Sequence, residues 1–256
     1  MNLNRVKVVL FRNKLPLILI TILLPIISFF VVRVNVEVNS VYPFFKNLSG
    51  YDMSIVVLGD IMEKFLILPI LLLCISSIIR KNNFSERIRF KNNSSLCSYY
   101  LLQVLLYSVL IAFVYILFTM VFSYILMPKK QLLWTSSDNS LYHFFGSEFK
   151  GKSVTTWISP IIIFFVFLVE LTLRNLFFSL YFMILNTFFK KDISLIISIV
   201  SFIYIYTMDY AQYILGFSFY DFYSFRTFME KISFIVLINL FLVFFYRRRF
   251  ISKDYL

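Results

Sequence analysis

Residues 80–96 of this chain read RKNNFSERIRFKNNSSL, a basic polar stretch that contains no glycine. An apolar run over residues 55–79 leads into it, and a second apolar run over residues 98–127 follows it. Runs of this length and composition are typical of membrane-spanning helices, which need about 20 apolar residues. Residues 80–97 are therefore predicted to form a loop between two spans, on the cytoplasmic side because the loop is basic.

Two apolar side chains inside this loop, Phe84 and Ile88, are four residues apart and would share one face of a helix. Basic residues, Arg87 among them, crowd the other positions. Two interpretations stay open on these residues alone. The loop is either a short amphipathic helix that seats the apolar pair in a partner's groove, or a solvated segment that follows the positive-inside rule.

The composition of the whole chain excludes an ordinary soluble domain. Of the 256 residues, 60% are hydrophobic and only 15% are charged, and the mean hydropathy is +0.84. This is the composition of an integral membrane protein, and too little chain lies outside the apolar runs for a soluble catalytic domain of about 50 residues or more. The net charge of +12 lies mainly at helix ends, where it suits lipid headgroups, so we expect no nucleic-acid partner.

Six apolar runs predict an all-α membrane protein, with six transmembrane helices in one domain that covers residues 1–256. The predicted spans are about 15–32, 55–79, 98–127, 158–189, 193–215 and 232–246. With both termini cytoplasmic, Lys and Arg are more numerous in the inner segments than in the outer loops, as the positive-inside rule requires. Residues 1–14 are basic with a weakly amphipathic apolar face, which predicts an N-terminal helix on the inner leaflet.

Among the charged residues inside the predicted spans, four form two pairs with four-residue spacing: Asp60 with Lys64, and Glu170 with Arg174. This spacing puts both members of a pair on one helical face. Charge at membrane depth costs roughly 3 kcal/mol on insertion scales, so such residues usually face a bundle interior or water. The first pair either lines an outward vestibule or marks a helix that begins outside the bilayer. The second predicts an intrahelical ion pair that faces the bundle or a dimer interface.

Motifs that match catalytic or nucleotide-binding patterns lack the context that these patterns need. Residues 146–153, GSEFKGKS, fit the phosphate-loop pattern letter for letter, but they lie in an outer loop between two predicted spans. A functional phosphate loop joins a strand to a helix. One histidine, His143, cannot supply the three or four ligands of a metal site. The predicted topology also separates His143 from Cys74 and Cys97 across the bilayer, which excludes a cysteine–histidine pair. We therefore expect no catalytic residue, metal or cofactor in this chain.

Two segments carry a resemblance to a known family: SSIIRKNNFSERIRFKNNSSL over residues 76–96, and FFYRRRFISKDYL over residues 244–256. With the six-span layout of the whole chain, they resemble the permease subunits of the ABC-2 group of ATP-binding-cassette transporters. The resemblance is greatest to the short permeases that accompany bacteriocin, lantibiotic or toxin-peptide export and self-immunity in Gram-positive bacteria. The basic outer loop, residues 128–152, is longer than this family leads us to expect.

The resemblance implies a permease that exports amphipathic or hydrophobic substrates across the bacterial plasma membrane. In the family, the loop between spans two and three docks on a separate cytoplasmic ATPase, which binds ATP and magnesium, and two permeases pair around a pathway. The implied ATPase-coupling residues are Phe84, Glu86, Arg87 and Ile88. The implied pathway or interface residues are Asp60, Lys64, Glu170 and Arg174.

Two other functional classes stay open. A stand-alone membrane immunity or sensor protein would need no ATPase, and co-purification of an ATPase distinguishes it from a permease. An intramembrane enzyme would lose a reaction when Glu170 is replaced by Gln, with no effect on any ATPase activity.

Overall fold

A computed structural model describes residues 16, 18–41, 48–59, 61–80, 92–127, 160–207 and 225–252 of the chain. The helices in these ranges are α1 (Leu19–Asn39), α2 (Gly50–Gly59), α3 (Ile61–Arg80), α4 (Asn93–Leu126), α5 (Pro160–Phe188), α6 (Lys191–Thr207) and α7 (Phe225–Ser252). Helix α1 opens with a π-helical turn, Leu19–Leu23. Since every element of regular structure among the described residues is a helix, the predicted all-α class is confirmed for them.

Four of the described helices are long and apolar enough to cross a membrane: Leu19–Asn39, Asn93–Leu126, Pro160–Phe188 and Phe228–Ser252. Shorter apolar helices cover Gly50–Gly59 and Leu66–Ser77. Helix α4 has 34 residues and extends about 51 Å, well beyond the hydrocarbon thickness of about 30 Å. These helices give the chain the character of a multi-pass membrane protein. Six crossings and two cytoplasmic termini remain predictions.

Helices α1 and α7 both extend beyond the apolar runs that predict them. Helix α1 continues to residue 39 rather than ending near residue 32, and α7 begins at residue 225 rather than near residue 232. Each extension contains an exposed ion pair one turn apart, Arg33 with Glu37 and Arg226 with Glu230, with 2.9 Å between nitrogen and oxygen in both. Such pairs contribute only about 0.3–0.5 kcal/mol, but they suit helix ends that project into water.

Helix α2 begins with a reciprocal cap. Ser49 N donates to Asp52 Oδ2 over 2.8 Å, and Asp52 N donates to Ser49 Oγ over 3.2 Å, which is a capping box. Between them, Gly50 lies so close to α4 that a Cβ at this position would be 2.6 Å from Tyr124 Cα. Gly50 is the residue at which the backbones of α2 and α4 meet.

Helices α2 and α3 lie on either side of Asp60, which is outside the described residues. Together they cover the run that was predicted as the second span. Pro69 lies inside α3, where neighbouring helices can satisfy the backbone groups that a membrane proline leaves free.

Helix α4 lies at the centre of the bundle. It packs against α1, α2, α3, α5 and α7, and α5 packs in turn against α6 and α7. Buried residues recur every three or four positions along α4, from Leu96 to Ser123, so one continuous face of the helix is covered by protein. Tyr107 and Tyr115 on this face are fully buried.

The directions of the last three helices follow from their contacts. A short turn joins α5 to α6, and side chains of this antiparallel pair contact each other across the interface. Helix α7 runs parallel to α5, because their contacts occur in the same order along both helices. Lys231 meets Glu170 in the N-terminal halves of the two helices. The Arg249 guanidinium lies 4.8 Å from the centre of the Phe188 ring at their C-terminal ends.

Candidate functional site

The candidate site is built around a buried ion pair between α5 and α7. The Lys231 ammonium group donates a hydrogen bond to Glu170 Oε1 over 2.8 Å, and each side chain is only 4% exposed. Taking a charge out of water costs several kcal/mol per ion, and a partner offsets this cost only at close, hydrogen-bonded distance. The pair therefore ties two parallel helices together, and the two cannot separate there without exposing unpaired charge.

Arg174, one turn further along α5, is also buried, at 6% exposure. The four-residue spacing predicts that it pairs with Glu170 inside the helix, and the structure adds a cation from another helix, Lys231. Lys231 lies just before the predicted sixth span, and no local pattern links it to Glu170. Because Glu170 and Arg174 are both buried within a single chain, the structure favours the bundle interior over a dimer interface for them.

Two asparagines make further polar contacts between the helices. Asn239 Nδ2 of α7 donates to the Leu173 carbonyl of α5 over 3.1 Å and to the Ile235 carbonyl of its own helix over 3.1 Å. Asn175 Nδ2 of α5 donates to the Ser108 carbonyl of α4 over 3.4 Å. Hydrogen bonds between membrane helices contribute about 0.6 to 2 kcal/mol each. Helix α5 is thus joined by polar contacts to α7 and to α4.

Further polar atoms are buried at separate positions along α4, α5 and α7. Among the described residues, no hydrogen-bond partner lies within reach of Gln103 Oε1, Tyr107 Oη, Ser108 Oγ, Thr119 Oγ1, Ser123 Oγ, Glu170 Oε2 or Asn239 Oδ1. Such groups are few in native proteins, because each costs about 1–3 kcal/mol unless water or a ligand satisfies it. Bound water or a polar ligand group would therefore stabilise these buried positions.

These interior residues were not among the predicted site residues, although a signal for some of them is present in the sequence. The polar positions on the buried face of α4, such as Gln103, Tyr107, Thr119 and Ser123, are separated by multiples of four residues. A polar stripe with this period in an otherwise apolar span indicates a face turned toward protein.

A second buried carboxylate belongs to Asp52, which is fully covered. It lies in the first turn of α2, where the partial positive charge of the helix N-terminus favours a carboxylate. Its hydrogen bond from Ser49 N gives it a capping role. The Ser-x-x-Asp spacing is visible in the sequence, but the burial of the group depends on α4.

An open apolar groove of about 530 Å³ lies beside α2, between the last turns of α4 and the first turns of α5. The rings of Tyr51 and Tyr124, whose centres are 5.8 Å apart, belong to its wall. Met120, Phe164 and Phe165 belong to the lining as well. The two phenol hydroxyls are the main polar groups here, so the groove suits an apolar side chain or a hydrocarbon chain.

The other predicted site residues cannot be placed with these groups. Asp60 and the four predicted coupling residues, Phe84, Glu86, Arg87 and Ile88, lie outside the described residues. Lys64 lies within α3, but the surroundings of its side chain are outside the described part of the chain.

The sequence motifs that match other chemistry give no site in the described structure. The phosphate-loop pattern at residues 146–153 and His143 lie outside the described ranges. Cys74 and Cys97 are buried free thiols. Within the described ranges, no three His, Cys, Asp or Glu residues lie close enough together to hold a metal ion.

No family model, no curated protein and no solved structure matches this chain. Function must therefore be inferred from the residues of this chain and their geometry.

Proposed function

We propose that this chain is the permease subunit of an ATP-binding-cassette exporter of the ABC-2 type, in the plasma membrane of a bacterium. Its substrates are amphipathic or hydrophobic peptides, such as antimicrobial or toxin peptides, which it moves out of the cell. A separate cytoplasmic ATPase binds ATP and magnesium, and a second permease, identical or related, completes the pathway. The observation that carries the proposal is the buried Glu170–Lys231 pair, because ionisable residues inside apolar spans usually mark a transport path.

The charged helix ends support a cytoplasmic position for the coupling segment. One end of the bundle contains the end of α5, the start of α6 and the end of α7, with the basic residues Lys190, Lys191, Arg247, Arg248 and Arg249. Arg247 Nη2 lies 3.3 Å from Ser94 Oγ, so α4 also begins at this end. The positive-inside rule favours the cytoplasm for such an end. The segment that precedes α4, with Phe84 and Ile88, would then face the ATPase.

Helix α4 is suited to carry a movement of this segment into the bundle. The side chain of Asn92 accepts a hydrogen bond from Ser95 N over 2.8 Å, so a capped helix begins directly after the segment. The helix packs against α1, α2 and α5 along its length. A displacement imposed by the ATPase would move α4 as a rigid body and shift the bundle between alternative packings.

The apolar groove and the polar interior of the bundle suit the two faces of an amphipathic peptide. The groove beside Tyr51 and Phe164 is apolar and opens from the outer half of the bundle in the proposed orientation. The interior near Glu170 and Asn239 offers charged and amide groups. A substrate with both an apolar and a polar face can use the groove, and can use the interior once the bundle shifts to a packing that opens it, whereas a purely hydrophilic solute gains nothing from the groove.

The test is to co-express the chain with candidate ATPases from its gene neighbourhood, purify by a tag on this chain, and measure ATP hydrolysis. We expect an ATPase to co-purify, and Ile88→Asp to remove it or uncouple it. Ile251→Asp is the matched control, because Ile251 is exposed at the same end of the bundle and lies outside the coupling segment.

Three results would contradict the proposal. If no ATPase co-purifies and the chain is stable alone, a stand-alone immunity or sensor protein becomes the better assignment. If Ile251→Asp uncouples hydrolysis as strongly as Ile88→Asp, residues 80–97 are not a specific coupling segment. A reaction in vitro that Glu170→Gln abolishes, with ATP hydrolysis unchanged, would indicate an intramembrane enzyme.

A further inference from the structure

Basic residues concentrate where α5 ends, α6 begins and α7 ends. They are Lys190, Lys191, Arg247, Arg248 and Arg249, and all except the half-buried Lys191 are exposed. Among the described residues at these helix ends, the acidic residue is Asp192, in the first turn of α6. A clear excess of positive charge therefore remains at the surface of the bundle.

One of these cations is held against an aromatic surface. The Arg249 guanidinium carbon lies 4.8 Å from the centre of the Phe188 ring, within the distance of a cation–π contact. Phe188 and its neighbour Phe189 are 51% and 47% exposed. Charge and open apolar surface thus lie side by side at the same helix ends.

The turn between α5 and α6 gives these charges a fixed position. The Lys190 carbonyl accepts hydrogen bonds from Ser194 N over 2.9 Å and from Ser194 Oγ over 3.1 Å, so α6 begins at a defined point. Its first N–H groups carry partial positive charge and add to the field of the lysines. Asp192 offsets part of this field but leaves the arginines of α7 unopposed among the described residues of this end.

The surface next to this cluster is apolar and strongly exposed. Leu237, Phe241 and Phe244 of α7 are each more than half exposed, and this ridge runs along α7 to the arginines. Apolar exposure of this kind in a membrane protein belongs in the hydrocarbon layer, which puts the basic residues at headgroup level. A free phosphate ion would use the cations alone, whereas a phospholipid uses both the cations and the rings beside them.

We propose that the basic cluster of Lys190, Lys191 and Arg249, with the Phe188 and Phe189 rings, binds the phosphate headgroup of an anionic phospholipid. Basic pockets between the ends of membrane helices are suited to such headgroups, and each Lys or Arg near the surface contributes to the attraction. The site lies on the outside of α5, α6 and α7 and is independent of the proposed export of peptides. It would make the stability of the helix ends depend on the lipid composition of the membrane.

The test is a lipid titration of the full-length chain in detergent, together with any subunit that co-purifies, read out by native mass spectrometry. We expect tighter binding of dioleoyl phosphatidylglycerol than of dioleoyl phosphatidylcholine. Removing one surface charge should weaken phosphatidylglycerol binding about fivefold, so Lys190→Gln with Arg249→Gln should weaken it about 25-fold and leave phosphatidylcholine binding unchanged. Arg226→Gln, at the other end of α7, is the matched control and should change neither.

Several results would overturn the proposal. Equal affinity for the two lipids, or an equal loss in Arg226→Gln, would show that the cluster is not a headgroup site. Displacement of phosphatidylglycerol by millimolar inorganic phosphate would identify the free anion as the ligand. Loss of a co-purifying protein with unchanged lipid binding would identify a protein-docking surface. If the double variant does not fold, Arg249→Lys must keep the preference for phosphatidylglycerol, because it keeps the charge.

Discussion

Breaking the buried pair between Glu170 and Lys231 on one side only should destabilise the protein strongly. In Lys231→Met, the Glu170 carboxylate keeps its burial and loses the ammonium group that donates to it over 2.8 Å. Leaving one member of a buried pair without its partner costs about 3–5 kcal/mol. The double variant Glu170→Leu with Lys231→Met removes both charges and should be within about 1 kcal/mol of the parent protein, or more stable.

The measurement is a double-mutant cycle on the free energy of unfolding in mixed detergent micelles. Arg226→Met is the matched control, because Arg226 pairs with Glu230 of the same helix at 2.9 Å. In contrast to the buried pair, these two side chains are 89% and 65% exposed. This substitution should cost no more than about 0.5 kcal/mol. A single-variant loss below 1 kcal/mol, or a double variant as unstable as the single one, would refute a buried, mutually dependent pair.

Two further substitutions test the packing around the candidate site. Gly50→Ala would put a Cβ 2.6 Å from Tyr124 Cα. We expect this contact to force α2 and α4 apart and to lower the unfolding free energy by about 1–3 kcal/mol. An unchanged thermal unfolding curve would show that α2 and α4 do not meet at Gly50. Asn239→Leu removes the hydrogen bond to the Leu173 carbonyl and should lower the unfolding free energy by about 0.6 to 2 kcal/mol. A gain in stability would mean that the Asn239 amide is not bonded to α5.

Helix class and membrane character were predictable because both depend on local composition. An apolar run long enough to match the bilayer must satisfy its backbone groups internally, and a helix does this within the segment. The ends of helices were less predictable. Helices α1 and α7 continue beyond the apolar runs through residues 33–39 and 225–231, which include charged residues. Charged residues four apart are compatible with a helix in water, so they interrupt the hydropathy pattern and not the helix.

The candidate site was predictable only in part. The presence of Glu170 and Arg174 on one face of a span follows from their spacing, and the structure confirms that both are buried. The cation that binds Glu170 was not predictable, because Lys231 is brought to it by the parallel packing of α5 and α7. The role of Gly50 likewise depends on the backbone of α4.

By itself, the sequence determined that this protein is helical, belongs in a membrane and concentrates basic residues at helix ends, because hydrophobicity, charge and helical periodicity act over neighbouring residues. The tertiary structure alone decided which helices run parallel, which cation meets Glu170, and where two backbones touch at Gly50. Such pairings depend on contacts between residues far apart in the chain, and their energies arise only when burial removes water from both partners.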